Sequence, residues 1–163
     1  MMIPIHATLL PNFLLFNKLR LLNTHLGLII PYVAFTIPFN TIMIAGFLKS
    51  LHRALEESAM IDGCSVWGTI FRIIAPITKP ALITTAIMTF MNNWNEFIMA
   101  NTYLSTEDVR TLPFSVIKFV GYYRSDYAIQ FACMAIVAIP SLIIYFALNK
   151  YITEGVTAGA IKG

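Results

Sequence analysis

The chain is poor in charged residues. Of its 163 residues, 12% are Asp, Glu, Lys or Arg, whereas 58% are hydrophobic, and the mean hydropathy is +0.73. An average soluble domain is roughly one-quarter charged, so the shortage argues against a soluble protein and makes the lipid bilayer the expected solvent. The formal net charge of +3 is small and spread along the chain. Because no basic stripe alternates with aromatic residues, we expect no nucleic-acid partner.

Cysteine is also scarce, and catalytic motifs are missing. Cys64 and Cys133 lie far apart without a CxxC spacing, which gives no zinc pattern and no disulfide framework. The sequence contains no HExxH or GxSG motif and no pair of aspartates in its apolar segments. Ser141 has no histidine in the later apolar segments to activate it, and a nucleophile needs a positioned base. We therefore expect neither an intramembrane enzyme nor a bound cofactor.

Long apolar runs are what the sequence does contain. Residues 26–48, 81–104 and 127–149 are each long enough to cross a bilayer, which takes about 20 residues. Residues 1–16 form a shorter apolar run that lacks the basic region of a signal peptide. The sequence therefore predicts an all-α membrane protein with one partial and three full spans, forming a single domain over residues 1–163.

The basic residues favour one orientation by a single residue. The side that holds the polar segment 49–80 and the end of the chain carries six Lys and Arg residues, and the other side carries five. The positive-inside rule therefore favours a cytoplasmic location for this segment. With four crossings, both termini of the chain would also be cytoplasmic.

Within this region, the segment 50–76 begins with a predicted short helix over residues 50–61. Ser50 suits the N-cap of that helix. Asp62-Gly63 would end it, because glycine accepts the left-handed backbone found at helix ends.

A second short helix is predicted over residues 66–75. Ser65 suits its N-cap, and Pro76 would end it. The resulting helix–turn–helix unit has two interpretations. It is either a protruding knob that docks on a soluble partner or an ordinary solvated loop in which Glu56 and Glu57 only add solubility.

One pattern in this segment resembles a known family. It combines an acidic residue, a small residue, an Asp-Gly pair, a phenylalanine and two spaced prolines, here Glu57, Ala59, Asp62, Gly63, Phe71, Pro76 and Pro80. The pattern resembles the cytoplasmic EAA loop of ABC-importer permeases, which docks on the ATP-hydrolysing subunit. Ser58 and Cys64 depart from it at positions where alanine is common, but both side chains are small enough to keep close helix contact.

Three further segments are similar to the carbohydrate branch of these permeases, the maltose-transporter type. They are residues 93–97 (NWNEF), residues 111–113 (TLP) and residues 155–163. The resemblance covers essentially the whole chain and implies the membrane domain of a type I ABC importer. That domain would have about three and a half spans and would lack its N-terminal spans. A permease for a non-sugar solute, or a channel or structural membrane subunit, is the alternative.

The resemblance also implies partners, a location and a docking surface. The partners are an ABC ATPase dimer, a second permease subunit, an extracytoplasmic sugar-binding protein and the lipid bilayer, and ATP would be hydrolysed by the separate subunit. The location is the plasma membrane of a prokaryote. The residues implied in ATPase docking are Glu56, Glu57, Ser58, Ala59, Asp62 and Gly63.

A cluster of polar residues lies in the second half of the apolar run 81–104. Asn92, Asn93 and Glu96 share one face of a helix at i, i+3/i+4 spacing. They either line a sugar path or link neighbouring helices by hydrogen bonds. Glu96 is a functional candidate because an ionisable residue is costly at membrane depth. Trp94 is interpreted as an interfacial anchor rather than a platform for sugar.

Residues 105–126 are predicted to form an external loop. In the maltose-type family the corresponding loop reaches into the binding protein. Tyr122, Tyr123 and Arg124 are the candidate contacts, since tyrosine and arginine are enriched in binding hot spots. A plain interfacial loop with aromatic residues is the alternative.

Overall fold

The computed structural model describes the backbone of residues 4–119 and 126–160, and the side chains up to residue 148. Every regular element in these ranges is helical, and no strand occurs there. Within the described residues, three helices are long and apolar enough to cross a membrane: His25–Ser50, Val66–Trp94 and Tyr127–Leu148. The prediction of an all-α membrane protein with three full spans is therefore confirmed.

The first helix, α1 (Ile5–Lys18), is shorter than a span. Its 14 residues rise about 21 Å, whereas the hydrocarbon core of a bilayer is about 30 Å thick. A tight turn, in which Arg20 and Asn23 have φ angles of 57° and 58°, leads to α2 (His25–Ser50). Thr24 begins α2 by accepting a hydrogen bond from the Gly27 N–H at 3.1 Å.

The predicted helix over residues 50–61 begins later than expected, and Ser50 is not its N-cap. Ser50 is the last residue of α2, and its hydroxyl donates backwards to the Phe47 carbonyl at 2.6 Å. Leu51 then adopts an extended backbone that ends α2. The next helix, α3, covers Ala54–Ile61. The prediction was wrong because α2 continues past its apolar part through Lys49 and Ser50 before the chain turns.

Pro76 does not end the second short helix. Ser65 caps α4 (Val66–Thr69) as predicted, accepting from the Gly68 N–H at 3.2 Å. The helix then continues through a π turn (Ile70–Ile74) into α5 (Ala75–Trp94). Pro76 is tolerated because it lies in the first turn of α5, directly after this wider turn.

The span predicted over residues 81–104 is interrupted near its end. α5 stops at Trp94, and a short helix, α6 (Ile98–Tyr103), follows. The Asn95 side chain donates to the Met91 carbonyl at 2.7 Å, so the amide occupies a backbone acceptor at the end of α5. The following residue, Glu96, provides acceptors for the first N–H groups of α6.

In the described part of the segment between α6 and the last span, residues 104–119 and 126, the regular elements are short. They are two 3₁₀ turns (Glu107–Val109 and Leu112–Phe114) and α7 (Ser115–Lys118). The last helix, α8 (Tyr127–Ala160), extends beyond the predicted span and includes glycines of the chain's final segment.

The spans are joined by a few polar contacts within an otherwise apolar bundle. α5 packs against both α2 and α8. The Asn40 amide and the Thr89 hydroxyl are hydrogen-bonded between α2 and α5 at 3.0 Å. The Trp94 indole N–H donates to the Val137 carbonyl of α8 at 2.9 Å, and its ring stacks on Phe90 with centroids 5.5 Å apart. Trp94 therefore links two helices, a role that neither sequence interpretation included.

A second packing centre surrounds α6. Its buried members come from α1, α2 and α6 and the residue after it: Phe16, Leu28, Met99, Ala100, Tyr103 and Leu104. The Phe16 and Tyr103 rings meet edge to face at 5.2 Å. Asn23 fixes the end of α6 from the α1–α2 turn, donating its N–H to the Tyr103 carbonyl at 3.0 Å. Its side-chain oxygen also accepts from the Ser105 and Thr106 N–H groups. These contacts hold α6 against the α1–α2 corner.

Candidate functional site

The polar segment forms a compact knob, defined here as residues 51–74, between the end of α2 and the start of α5. It contains α3, α4 and the π turn. α3 and α4 pack against each other. The membrane-length helix Val66–Trp94 includes α4, so the knob is joined to its span by continuous helix on one side.

Gly63 gives the knob its turn. Its φ angle is +74°. The Cys64 N–H donates to the Ala59 carbonyl at 2.9 Å, and the Gly63 N–H donates to the Met60 carbonyl at 3.1 Å. This pair of bonds is a Schellman helix ending, in which glycine takes the left-handed position. A Cβ at Gly63 would meet no atom within 4 Å, so the backbone conformation, and not lack of space, requires glycine.

The six predicted docking residues occupy different environments. Glu56, Glu57, Ser58 and Asp62 are exposed, as is Gly63 at the turn. Ala59 is only 2% exposed, which places it in the packing of the knob. The Ser58 hydroxyl donates to the Ala54 carbonyl of its own helix at 2.6 Å.

The sequence analysis missed an apolar patch on the knob. Its members are large and exposed, and we define the apolar patch as Met60, Ile61, Val66, Trp67 and Phe71. Ile61 is 85% exposed and Val66 75%. The Trp67 and Phe71 rings are stacked with centroids 6.1 Å apart. The signal was present as large apolar residues within a short polar segment.

A groove of about 320 Å³ lies between the end of α2 and the knob. Leu48 contributes from α2, Glu56 and Met60 from α3, and Val66 from α4. A carboxylate and members of the apolar patch therefore border the same depression.

A separate cavity of about 400 Å³ lies between α2 and α5, towards the ends of these helices that are remote from the knob. Aromatic side chains of α2 form one wall: Tyr32, Phe35 and Phe39. Polar side chains face it: Thr36, Thr89, Asn92, Asn93 and Glu96. The structure thus brings the three predicted polar residues to one cavity, although Glu96 follows α5 instead of belonging to it.

Both carboxylate oxygens of Glu96 accept hydrogen bonds. Oε1 accepts from the Met99 N–H at 2.7 Å, and Oε2 accepts from the Ala100 N–H at 3.1 Å. The Tyr32 hydroxyl donates to Oε2 at 2.7 Å. The carboxylate therefore caps α6 and at the same time connects it to α2. Such bonds to a charged group stabilise a carboxylate that is half-buried.

The connection after α6 carries a surface ion pair. Lys118 Nζ lies 2.8 Å from Glu107 Oε1, and this hydrogen bond holds the pKa of the Glu107 carboxyl below its usual range. Nearby, the Arg110 guanidinium lies 3.7 Å from the centroid of the Phe114 ring. The predicted binding-protein contacts Tyr122, Tyr123 and Arg124 lie outside the described residues.

The described residues include no group of three or more His, Cys, Asp or Glu side chains that could hold a metal ion. Cys64 and Cys133 are both unpaired. The candidate sites are therefore a surface for a partner and a cavity with free amides.

Together, the three membrane-length helices and the polar knob define a multi-pass α-helical membrane protein. Residues 1–158 match the model of the family described as binding-protein-dependent transport system inner membrane component. The chain belongs to this family.

Several curated relatives are similar over nearly the whole chain. The probable ABC transporter permease YurM of Bacillus subtilis is 35% identical over 163 residues, which cover 100% of this chain and 54% of that protein. The sulfoquinovosyl glycerol transport system permease SmoH of Agrobacterium fabrum is 33% identical over 160 residues, covering 98% of this chain and 56% of that protein. The trehalose/maltose transport system permease MalG of Thermococcus litoralis is 36% identical over 152 residues, covering 93% of this chain and 55% of that protein. The chain thus spans about half the length of the curated relatives it matches.

Gly63→Ala should loosen the knob without affecting the spans. A side chain in the left-handed region costs roughly 1–2 kcal/mol, so amide hydrogen exchange over residues 54–64 should accelerate about tenfold. Hydrogen exchange read by mass spectrometry measures this. Gly46→Ala is the matched control, because that glycine lies within α2 and a Cβ there meets no atom within 4 Å. Equal exchange rates in Gly63→Ala and the parent would contradict the conclusion that the left-handed backbone at position 63 requires glycine.

Proposed function

We propose that this chain is a permease subunit of an ATP-driven sugar importer in the plasma membrane of a prokaryote. The observation that carries the proposal is the apolar patch, which is exposed on the knob around the start of the helix Val66–Trp94. Family membership gives the class of machine, and the patch supplies a surface that a soluble ATPase dimer would cover. The permease carries out no covalent chemistry, and ATP is hydrolysed by the partner.

Docking on the ATPase would remove the apolar patch from water. Burial of apolar surface contributes about 25 cal/mol per Å², and the patch comprises five large exposed side chains of the knob. The exposed carboxylates Glu56, Glu57 and Asp62 lie on the same knob. In this arrangement the patch forms the centre of the interface and the carboxylates form a polar rim, as is common in protein interfaces.

Movement of the knob would be transmitted directly to the membrane. α4, the π turn and α5 form one continuous helix. Closure of an ATPase dimer would therefore shift α5 together with the knob instead of being absorbed by a flexible loop. Such a shift would move the spans between states open to opposite sides of the membrane, as in other ligand-biased domain motions.

The cavity beside α2 and α5 is the proposed part of the translocation path. The Asn92 and Asn93 amides face it with no partner among the described hydrogen bonds, and Glu96 lies at its end. Amides that can donate and accept, opposite aromatic rings, suit the hydroxyl groups and apolar faces of a sugar. A second permease subunit would complete the path.

The orientation follows from the docking proposal. The knob and both termini of the chain would be cytoplasmic, and the connection between α6 and α8 would be extracytoplasmic. A sugar-binding protein would deliver its ligand on that side. Relatives named for the transport of trehalose/maltose and of sulfoquinovosyl glycerol support a carbohydrate cargo.

Trp67→Ser should weaken association with the ATPase subunit about 30-fold, because truncation of a central aromatic residue at an interface costs about 2 kcal/mol or more. Binding of the detergent-solubilised permease to the purified ATPase of its own transporter measures this. Leu112→Ser is the control, since Leu112 is also exposed but lies in the connection before α7. Unchanged affinity of Trp67→Ser would reject docking through the patch.

Asn93→Ala should raise the KM of sugar uptake about fivefold, because it removes one hydrogen bond of roughly 1 kcal/mol. Uptake of labelled sugar by proteoliposomes of the complete transporter gives KM. Asn95→Ala is the matched control, since the Asn95 amide is exposed and bonds its own helix. If both variants keep the parent KM, Asn93 does not contact the sugar.

Shortening residues 121–125 should reduce stimulation of ATP hydrolysis by the sugar-binding protein. The proposed reason is loss of the contacts made by Tyr122, Tyr123 and Arg124, residue types that are enriched at interfaces. ATPase activity with and without the binding protein measures the effect, and the unstimulated rate serves as the control. Full stimulation of the shortened chain would exclude this contact.

A further inference from the structure

Two hydrogen bonds between side chains lie at the cavity between α2 and α5, and three of the four residues that form them line it: Tyr32, Thr89 and Glu96. At the end remote from the knob, the Tyr32 hydroxyl donates to Glu96 at 2.7 Å. At the end nearer the knob, the Asn40 amide donates to the Thr89 hydroxyl at 3.0 Å. All four residues are half-buried.

The two bonds are separated by the length of the cavity. Tyr32 and Asn40 are eight residues apart on α2, which corresponds to about 12 Å along a helix axis. Thr36 lies between them on α2 and lines the cavity. Each hydrogen bond therefore connects α2 to the α5 side of the cavity, one on the side remote from the knob and the other nearer the knob. A ligand would occupy the space between the two bonds.

The Tyr32–Glu96 hydrogen bond, at the end remote from the knob, also connects α2 to α6. Oε1 and Oε2 of Glu96 accept from the first N–H groups of α6, and Met99 of α6 lines the cavity. At its other end, the Asn23 N–H donates to the Tyr103 carbonyl of α6. The Asn23 side-chain oxygen accepts from the Ser105 and Thr106 N–H groups just after α6. The Tyr32 bond thus joins α2 to the carboxylate that caps α6.

We infer that the Tyr32–Glu96 and Asn40–Thr89 hydrogen bonds are two latches that close the cavity at opposite ends, and that Tyr32 and Asn40 are positioning residues for its gating. This inference adds to the proposed translocation path the hydrogen bonds that close it. The inference rests on the proposal that the cavity is part of that path. A hydrogen bond to a charged carboxylate is stronger than one between two neutral groups. The latch remote from the knob is therefore the stronger one.

The test is the accessibility of one thiol from the two sides of the membrane. Cys64→Ser and Cys133→Ala remove the native thiols, and Thr36→Cys places a probe between the latches. The Thr36 hydroxyl bonds only its own helix, so this change leaves both latches in place. A membrane-impermeant maleimide is applied to intact cells and, separately, to inside-out vesicles.

Tyr32→Phe should raise the labelling rate about tenfold from the side remote from the knob, and leave the rate from the knob side unchanged. Asn40→Leu should do the reverse, raising the rate about threefold from the knob side only. Tyr145→Phe removes a hydroxyl from α8 far along the chain and is the control. Equal acceleration from both sides would indicate general loosening and overturn the proposal, as would no acceleration from either side.

The readout separates this proposal from the proposed function. Labelling needs neither ATPase nor sugar, so the latches can be confirmed or rejected whatever the Trp67 and Asn93 variants show. Conversely, loss of ATPase binding in Trp67→Ser would not alter labelling of the Thr36→Cys probe.

Discussion

Satisfaction of the backbone at helix ends is the constraint on which this structure depends. A bilayer offers no water to unpaired N–H and C=O groups, and at several helix starts of this chain a side chain supplies the missing partner. Thr24 supplies one before α2, Ser65 before α4 and Glu96 before α6. Asn23 binds the backbone at the far end of α6. These side chains stabilise the breaks between helices, and the knob, the cavity and the corner at α6 lie beside those breaks.

Most of the architecture could be predicted from the sequence because spans are set by length and by absence of charge. Those two properties are visible without knowledge of packing, and the three spans were found on this basis. The boundaries were harder. Ser50 has the chemistry of an N-cap but ends α2, because a helix cap depends on where the backbone turns. Pro76 has the chemistry of a helix breaker, but the π turn before it lets the helix continue.

The candidate sites were predictable to different degrees. Gly63 could be assigned from sequence because a left-handed turn has a strong residue preference, and its φ angle agrees. Asn92, Asn93 and Glu96 were found because polar residues stand out in an apolar run. The aromatic residues of α2 that line the same cavity, Tyr32, Phe35 and Phe39, could not be predicted. α2 is apolar on all sides, so its sequence does not indicate which face borders a cavity. The bond between Tyr32 and Glu96 joins residues 64 positions apart, and no local pattern encodes it.

The π turn that joins α4 to α5 has a consequence for how the length of this chain can vary. Each residue of an α-helix adds about 100° of rotation and 1.5 Å of rise, and the direction of the apolar patch relative to the cavity is fixed through one unbroken helix. A residue gained or lost within α5 would therefore turn the patch by more than a quarter of a circle, even where the helix surface meets only lipid. A π turn takes up one extra residue locally, which makes it a place where such a change in length can be absorbed. The spacing between knob and cavity is thus constrained by angle as well as by distance.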